Sequence, residues 1–148
     1  MAALTYARVL SPDDAELLAE IDRAYAERYG LEPILTRSSL SFFVRSGHSF
    51  VALNEGAATG FALAQAVWNG TRPAVVVSRL ATGDDHDLGT RLALIEAITK
   101  SAYDAAVYDI QVQLSSDDHV GARAFQNKQY HQRNLVTYER ILGSRGQQ

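Results

Sequence analysis

The sequence predicts a single α/β domain built around a mixed sheet, and three observations support this prediction. The 148 residues, 47% of them hydrophobic and 21% charged, suffice for one core of ordinary composition. Short apolar runs alternate with stretches of helical spacing. Between Ala74 and Ala102 an apolar run leads through a polar loop into an amphipathic helix, which is typical of α/β domains. We expect the domain to span residues 1–142 and residues 143–148 to form a disordered tail.

The first half of the chain is predicted to contain three strands and two helices. Ser11 is expected to cap the first helix, with Pro12 in its first turn and Asp14 reaching back, and Gly30 to end it. Gly60, near the start of the longest strand, suggests a bulge or a close backbone approach. The predicted elements are a strand at Thr5–Leu10, a helix from Ser11 to Gly30, a helix at Ser39–Arg45 that ends at Gly47, and strands at Ser49–Asn54 and Thr59–Trp68.

The second half is predicted to contain two strands and two helices before a closing strand or pair of strands. Polar and apolar residues alternate from Val107 to Leu114, so this strand either has one solvent-exposed face or borders a polar cleft. The predicted order over the whole chain is β-α-α-β-β-β-α-β-α-β-β. The elements are a strand at Ala74–Leu80, a loop at Ala81–Asp87, a helix from Leu88 to Ala102, a strand at Val107–Leu114, a short helix from Asp117 to Gln126, and one or two strands within Tyr130–Leu142.

Charge and composition exclude several classes of function. The formal net charge of -3 gives no electrostatic reason to expect a nucleic acid or an anionic membrane as partner. The chain contains no cysteine, so disulfides, thiolate metal sites and cysteine nucleophiles are excluded. No apolar stretch approaches the roughly 20 residues that span a bilayer, and the N-terminus lacks the pattern of an export signal. We therefore expect a cytoplasmic protein.

The loop between the central strand and its helix combines an anion-binding architecture with acidic residues. Helix-terminal amides stabilise an anion by about 0.3–1 kcal/mol, and by up to about 2 kcal/mol when partly buried. Asp84, Asp85 and Asp87 lie in this loop. A carboxylate about 6 Å from a phosphate charge costs roughly 0.7 kcal/mol in water and about 3 kcal/mol at an effective dielectric near 20. Helix capping explains one or two of these residues, and Arg79 and Arg91 are close enough in sequence to pair with them.

Three segments carry a family resemblance, namely Gly47–Phe50, Gly60–Trp68 and Lys100–Ala105. Together with the element order, they resemble the GNAT superfamily of acyl-CoA-dependent N-acyltransferases, and more specifically a small uncharacterised bacterial family with that fold. The resemblance implies acetyl-CoA as cosubstrate and a small amine as acceptor. It also implies that main-chain groups at Leu80, Ala81 and Thr82 pair with pantetheine and that the amides of Leu88, Gly89 and Thr90 meet the pyrophosphate.

Two motifs of that family depart from their usual residues here. The phosphate loop reads Q/R-x-x-G-x-G/A in the family, and its defined positions fall on Asp84, Asp87 and Gly89, of which Gly89 alone matches. The family's Asn at the start of the last helix and its thiolate-protonating Tyr fall on Asp118 and Phe125, which we place at the cofactor site. Phe125 has no hydroxyl, so no catalytic residue is assigned. Holding the amine close to the thioester could still supply much of the rate without a dedicated acid. We expect the activity to be low.

The same residues allow other interpretations. The chain could be a non-catalytic binding or interaction protein that keeps the scaffold without the family's phosphate loop and phenol. The tripeptides Asp84–His86 and Asp117–His119 follow neighbouring strands and could together hold a divalent cation or a cationic ligand. A homodimer is a further expectation from the resemblance, since many relatives dimerise.

Aromatic and histidine side chains are candidates for an acceptor pocket and for a catalytic base. Tyr25, Tyr29, Trp68 and Tyr130 either line an acceptor pocket or pack in the core and at sheet edges. His48 is either a catalytic base, because the usual pKa of histidine suits proton transfer, or a structural residue at the end of a turn.

Overall fold

The computed structural model describes residues 4–143, in which a five-stranded sheet is covered by helices on both faces. The strands are β1 (Thr5–Val9), β2 (Phe50–Asn54), β3 (Ala57–Trp68), β4 (Pro73–Thr82) and β5 (Ile110–Val112). The helices are α1 (Ala15–Tyr29), α2 (Arg37–Ser46), α3 (Leu88–Asp104) and α4 (His119–Asn127), and a 3-10 turn at Pro12–Asp14 precedes α1. None of these helices is long and apolar enough to cross a membrane. The predicted α/β class with a mixed sheet is confirmed.

The five strands lie in sequence order across the sheet. The strands β1 to β4 pair antiparallel with their neighbours, whereas β5 pairs parallel with β4. This parallel pairing joins Val75–Val77 of β4 to Ile110–Val112 of β5. Because β4 continues to Thr82, its residues 78–82 have no strand beside them on the β5 side in the described part of the chain. The sheet is therefore split at the end from which α3 begins.

Two apolar clusters, one on each face, hold the helices against the sheet. The helices α1 and α2 share a cluster with β2 and β3, in which Leu18 and Phe61 are fully buried. The helices α3 and α4 share the other cluster with β4, and it contains Ile95, Leu80 and Phe125. Each buried side chain of this size contributes about 1.5–3 kcal/mol relative to exposure. The arrangement places α1 and α4 on opposite faces of the sheet.

An extra residue interrupts the regular pairing of β3 with β4. Leu63 faces Arg79, but the next residue of β3, Ala64, faces Val77. Ser78 is therefore a bulged residue, inserted directly after the last pair that β4 makes with β5. The bulge and the split of the sheet begin at the same place.

The close approach predicted at Gly60 is confirmed. The pairing of β2 with β3 shifts register beside Gly60, where Ala52 and Leu53 face residues that are not adjacent. A Cβ atom at Gly60 would lie 2.6 Å from the carbonyl oxygen of Ala81 and 2.6 Å from Cγ2 of Thr90. Glycine is required here because β3, β4 and α3 meet without room for a methyl group.

The predicted ends of the first two helices are confirmed, and Ser11 caps the 3-10 turn that leads into α1, whereas α2 begins at Arg37, two residues before the predicted Ser39. Ser11 Oγ accepts a hydrogen bond from the Asp13 amide, and the Asp14 carboxylate accepts one from the Ser11 amide at 2.8 Å. Gly30 and Gly47 end α1 and α2 in left-handed conformations, with φ of 65° and 84°.

The C-terminal part of the chain differs from the prediction. One or two strands are expected within Tyr130–Leu142, but the described residues contain no strand after Val112, and residues 131–143 are exposed throughout. The strand expected at Val107–Leu114 is reduced to Ile110–Val112. Strand-forming side chains do not make a stable strand unless a neighbouring strand receives their main-chain groups. The tail expected at 143–148 lies outside the described residues apart from Gly143.

Asp14 links the start of α1 to β1 and makes the free energy of unfolding depend on pH. The residue is 4% exposed, and its carboxylate accepts hydrogen bonds from both terminal nitrogens of Arg8, at 2.8 and 2.9 Å. Burial opposes ionisation, but Arg8 and the Ser11 amide outweigh it and hold the pKa of Asp14 below its usual value. This contribution is present above about pH 4 and is lost as the pH falls through the lowered pKa.

We expect Asp14→Asn to lower the free energy of unfolding by about 1–2 kcal/mol at neutral pH, because Arg8 loses a charged acceptor. The variant should lose less additional stability than the wild type between about pH 5 and about pH 2, because it has no carboxylate to protonate at this position. Urea denaturation at a series of pH values measures both effects. Parallel pH profiles for the two proteins would contradict the role assigned to Asp14.

Candidate functional site

The split between β4 and β5 is where the predicted cofactor residues fall. The two strands separate after Val77 and Val112. Beyond this point β4 leads through residues 83–87 into α3, and β5 leads through residues 113–118 into α4. Two helix N-termini and an unpaired strand edge therefore border the same gap, which is an arrangement suited to an extended anionic ligand.

Asp118 bridges the two faces of the sheet through this gap. The residue is 1% exposed, and its carboxylate accepts hydrogen bonds from the Tyr25 hydroxyl at 2.5 Å and from the Gly121 amide at 2.8 Å. Tyr25 belongs to α1, whereas Asp118 caps α4 on the opposite face. The two layers can meet directly only where β4 has no neighbouring strand, so this bond fills part of the gap. Burial, reinforced by Asp118, raises the pKa of Tyr25 well above its usual value, so its phenol is a donor at neutral pH.

Arg91 is a fully buried cation beside the same gap. Its Nη2 atom lies 3.3 Å from Asp118 Oδ1 and 3.9 Å from Asp85 Oδ1. Its Nη1 atom donates to the carbonyl oxygens of Asp85 and Asp87, both at 3.0 Å. The Nε atom has no hydrogen-bond partner among the described residues. Arg91 thus ties the β4–α3 loop to the start of α4, and the pairing expected between Arg91 and the acidic loop is confirmed.

Tyr29 and Arg28, at the end of α1, cover the outer side of the loop. The Tyr29 hydroxyl donates to the Asp85 carboxylate and lies 3.4 Å from Asp118. Arg28 donates to the Gly83 carbonyl at 3.0 Å and lies 3.7 Å from the Asp85 carboxylate. Burial, followed by Asp85, raises the pKa of Tyr29 to about 12. The Tyr29 phenol therefore stays protonated at neutral pH and stabilises the charged form of Asp85.

Asp87 occupies the anion position at the start of α3. Its carboxylate accepts hydrogen bonds from the Thr90 amide at 2.9 Å and from the Thr90 hydroxyl at 2.6 Å. Asp84 accepts similarly from the His86 amide at 2.9 Å. The capping interpretation is confirmed for Asp87. One of the amides that a pyrophosphate would use is therefore already bonded to a carboxylate of the protein itself.

The predicted cofactor-binding residues border the gap, but those on β4 are covered. Leu80, Ala81 and Thr82 are 2%, 0% and 0% exposed. Leu88 and Gly89, in the first turn of α3, are more accessible. A ligand can reach the β4 edge only after the side chains in the gap move apart. The cofactor role of these residues stays a prediction.

Phe125 lies in the apolar cluster beneath α3 and α4. The residue is 5% exposed, and its ring is 5.0 Å from the ring of Tyr130. The four aromatic residues considered for an acceptor pocket do not come together. Tyr25 and Tyr29 are 4.9 Å apart beside the gap, Tyr130 packs on Phe125, and Trp68 ends β3 at the opposite end of the sheet.

His48 has a structural role far from the gap. The residue is 8% exposed, and its Nδ1 atom lies 2.7 Å from Ser101 Oγ, near the C-terminal end of α3. Burial lowers the pKa of His48, so the ring is neutral at physiological pH. The hydrogen bond joins the turn after α2 to α3, which agrees with the structural interpretation of this residue.

The hypothesis of a divalent-cation site at the two acidic tripeptides gains no support from the arrangement of the described side chains. Within residues 4–143, no three His, Cys, Asp or Glu side chains lie close enough to hold a metal ion. Asp85 and Asp118 do meet at one edge of the sheet, as predicted, but Arg91 contacts both and supplies the positive charge. Arg79 does not pair with the loop, because it pairs with Asp22 of α1 at 3.3 Å.

Arg28 is a member of this site that was not predicted from the sequence. Its guanidinium lies 5.8 Å from the ring centre of Tyr25 and 5.6 Å from that of Tyr29. The available signal was an arginine in the last turn of a helix with tyrosines three residues before and one residue after it. That pattern places an aromatic and cationic cluster at the end of α1.

Comparisons with known proteins agree with this architecture. A family model described as a protein of unknown function, DUF1999, matches residues 5–148. The structure is similar to that of TTHA1254 from Thermus thermophilus, with 31% identity and a TM-score of 0.76 over 93% of this chain and 97% of that one. No curated protein matches the chain.

Two more distant structures share the fold. One is the aminoglycoside acetyltransferase meta-AAC0020 from an uncultured soil metagenomic sample, with 16% identity and a TM-score of 0.75 over 94% of this chain and 97% of that one. The other, from Clostridium acetobutylicum, is described as a predicted acetyltransferase with acetyl-CoA, and it has 13% identity and a TM-score of 0.69 over 93% and 96%. The GNAT fold expected from the sequence is confirmed.

Proposed function

The chain belongs to the DUF1999 family of proteins of unknown function, and on that premise we propose that it is an acyl-CoA-dependent N-acyltransferase acting on a small amine. One observation carries this proposal. Residues 78–82 of β4 extend beyond the last pair with β5, so their main-chain groups have no strand partner on that side in the described part of the chain. The same fold in an aminoglycoside acetyltransferase and in a protein described as a predicted acetyltransferase supports the same kind of activity.

The unpaired edge of β4 suits a slender chain that carries amide groups. Pantetheine has two amides and could add to Leu80–Thr82 as a short strand would. The thioester would then lie in the gap, where the nitrogen of a bound amine attacks its carbonyl carbon. The carbon–nitrogen bond forms, the carbon–sulfur bond breaks, and CoA leaves as a thiolate while the amine loses a proton to solvent. Positioning of the two reactants supplies the rate, and no general acid is assigned.

The phosphate end of the ligand fits less well, and this lowers the expected affinity. Asp87 holds the Thr90 amide, so a pyrophosphate at the start of α3 would lie close to a carboxylate. The charge of Asp85 is offset by Tyr29 and by the nearby guanidinium of Arg91. Asp87 has no such cationic side chain in contact with its carboxylate among the described residues. Asp87 is therefore the main electrostatic obstacle.

A second candidate function is a non-catalytic binding or interaction protein on the same scaffold. The observation that favours it is the filled gap. Asp118, Tyr25 and Arg91 form a buried hydrogen-bonded group there, and the β4 edge behind it is inaccessible. In this alternative the group is a permanent part of the core, and acetyl-CoA does not displace it.

We expect acetyl-CoA to raise the melting temperature of the wild type, because a ligand that binds only the folded state stabilises it. At roughly 100-fold above Kd the gain is about 2.7 kcal/mol, which corresponds to a shift of several degrees for a domain of this size. Asp87→Asn should bind at least roughly threefold more tightly, because asparagine keeps the cap and removes the charge. Thermal denaturation with increasing acetyl-CoA measures both affinities.

Asp104→Asn is the matched control, since it removes one carboxylate from the opposite end of the same helix. Its affinity for acetyl-CoA should equal that of the wild type. If neither the wild type nor Asp87→Asn responds to millimolar acetyl-CoA, the transferase proposal fails and the binding-protein candidate takes its place. A response of equal size in all three proteins would show that Asp87 is not the obstacle.

A further inference from the structure

The carboxylate of Asp85 is surrounded by donor groups from two helices. The hydroxyl of Tyr29, the last residue of α1, donates to it. Arg28 Nη1 lies 3.7 Å and Arg91 Nη2 lies 3.9 Å from its Oδ1 atom. One phenol and two guanidinium groups, here called the oxyanion cluster, therefore converge on a single carboxylate. Guanidinium groups are the side chains best suited to bind carboxylate and phosphate ligands.

Asp85 does not saturate the two guanidinium groups of this cluster. Both of its contacts with them are longer than a hydrogen bond. Arg28 Nη1 and Arg91 Nε are buried nitrogens without a hydrogen-bond partner among the described residues. Buried donors are rarely left unpaired in folded proteins. The oxyanion cluster can therefore hold an oxyanion more closely than it holds Asp85.

The side chain of Asp85 can leave the cluster while its main chain stays in place. The side chain is 41% exposed. The main-chain carbonyl of the same residue accepts a hydrogen bond from Arg91 at 3.0 Å, and the carbonyl of Gly83 accepts one from Arg28 at 3.0 Å. These two bonds fix the loop, so a change of one rotamer would turn the carboxylate into solvent and open the cluster to an external ligand.

The oxyanion cluster borders the gap between β4 and β5. The Tyr29 hydroxyl lies 3.4 Å from Asp118 Oδ1, and Arg91 Nη2 lies 3.3 Å from the same atom. Asp118 fills part of the gap in which the thioester of a bound acyl-CoA is proposed to lie. A ligand at the cluster would therefore lie beside the acyl group, where the acceptor is needed.

The charge of the surrounding loop favours one kind of oxyanion. The carboxylates of Asp84 and Asp87 accept hydrogen bonds from main-chain amides, and neither forms a salt bridge within residues 4–143. A phosphate with two negative charges would be repelled by both carboxylates. An amino acid carries an ammonium group next to its carboxylate, so its net charge is zero and the acidic loop attracts its amine.

We infer that the acceptor of the proposed acyl transfer is an amino acid, and that its carboxylate replaces that of Asp85 at the oxyanion cluster. The inference rests on the proposed function for the reaction, but the binding can be measured without it. The ammonium group loses one proton, and its nitrogen then attacks the thioester carbonyl. The carbon–nitrogen bond forms and the carbon–sulfur bond breaks, CoA leaves as a thiolate, and the nitrogen releases a second proton. Asp85 is then a tethered competitor of the acceptor.

Asp85→Ala should bind L-alanine at least roughly tenfold more tightly than the wild type, because no tethered carboxylate then competes for the cluster. Asp85→Asn, which keeps an acceptor for Tyr29 without the charge, should show a smaller gain. Ethylamine lacks the carboxylate of L-alanine and propionate lacks its ammonium group, so both should bind more weakly than L-alanine. NMR titration of the isotope-labelled protein, without acyl-CoA, measures these affinities.

The matched controls remove the same charges from neighbouring positions. Asp84→Ala changes an aspartate of the same loop that lies outside the cluster, and this variant should bind L-alanine no more tightly than the wild type. Adding Arg28→Gln to Asp85→Ala should abolish the gain. Adding Arg23→Gln, which changes an exposed arginine of the same helix, should preserve it.

Three results would overturn the inference. They are equal binding of L-alanine and ethylamine by Asp85→Ala, no binding of L-alanine by this variant at millimolar concentration, and tighter binding of inorganic pyrophosphate than of L-alanine. Because these titrations contain no CoA, they are separate from the test of the proposed function. A protein that binds acetyl-CoA but not L-alanine would refute the assignment of the acceptor and leave the proposed function intact.

Discussion

Asp118→Ala is expected to lower the free energy of unfolding by about 3–5 kcal/mol, the cost of removing one partner of a buried ion pair. Arg91, which is 0% exposed, would be left without its closest carboxylate. The buried hydroxyl of Tyr25 and the amide of Gly121 would each lose an acceptor as well. Urea denaturation monitored by circular dichroism measures the loss.

Two further variants separate the causes of this loss. Asp118→Asn keeps an acceptor for Tyr25 and a cap for α4 but not the charge, so we expect an intermediate loss. The double variant Asp118→Ala, Arg91→Met should be more stable than Asp118→Ala alone, because no unpaired cation is then buried. A loss below about 1 kcal/mol for Asp118→Ala would mean that the pair with Arg91 contributes little to the fold.

Gly60→Ala is expected to destabilise the protein by about 3 kcal/mol, at the upper end of the usual cost of overpacking. The added methyl group would lie 2.6 Å from the Ala81 carbonyl oxygen and 2.6 Å from Thr90 Cγ2. The carbonyl belongs to β4 and cannot turn away without breaking the pairing of β3 with β4. Thermal and urea denaturation measure the change.

Gly89→Ala is the matched control for this prediction. The nearest atom to a Cβ at Gly89 is an oxygen of Asp87, at 3.7 Å, which is an ordinary contact. We expect this variant to be at least as stable as the wild type, because alanine is the better residue in a helix. Adding Thr90→Ser to Gly60→Ala removes Cγ2 but keeps the hydroxyl that donates to Asp87, and it should restore only part of the stability, since the contact with the Ala81 carbonyl remains. Full restoration would show that only the side chain of Thr90 opposes the methyl group.

Local features of the fold were predictable because each depends on residues close together in sequence. Ser11 and Asp14 form a capping box across four positions, and Gly30 ends α1 by adopting a left-handed conformation. Asp87 caps α3 three residues away. These interactions are set by short-range geometry, so the sequence pattern is sufficient to locate them.

The contents of the gap were not predictable in the same way. Tyr25 and Asp118 are 93 residues apart in the chain, and either could have been an ordinary surface residue. Arg79 and Arg91 are both close enough in sequence to reach the acidic loop. Arg79 pairs with Asp22 instead, because the bulge directs its side chain to the α1 face of the sheet. These pairings depend on which elements the sheet brings together, and the spacing of residues in the sequence does not indicate this.

The prediction of C-terminal strands was wrong for a different physical reason. The residues between Tyr130 and Leu142 have strand composition, but a strand requires a partner edge, and composition does not say whether that edge belongs to the same chain. The propensities are those of a strand, but no strand in the described part of the chain pairs with these residues.

The extra residue at Ser78 has a consequence for how this chain can vary. Val77 and Leu80 lie in the same apolar cluster although three positions separate them, and Ala81 lies in the opposite one. Side chains of a regular strand alternate between its faces, so if residues 77–81 alternated without a bulge, Arg79 would lie in the cluster that now holds Leu80. Deleting Ser78 would place Arg79 directly after Val77, so residues 79–82 would keep their faces while the bulge would be lost. The bulge, rather than the residue type at position 78, therefore decides which side chains at the end of this strand reach each layer, and related sequences should tolerate substitutions of Ser78 that preserve it.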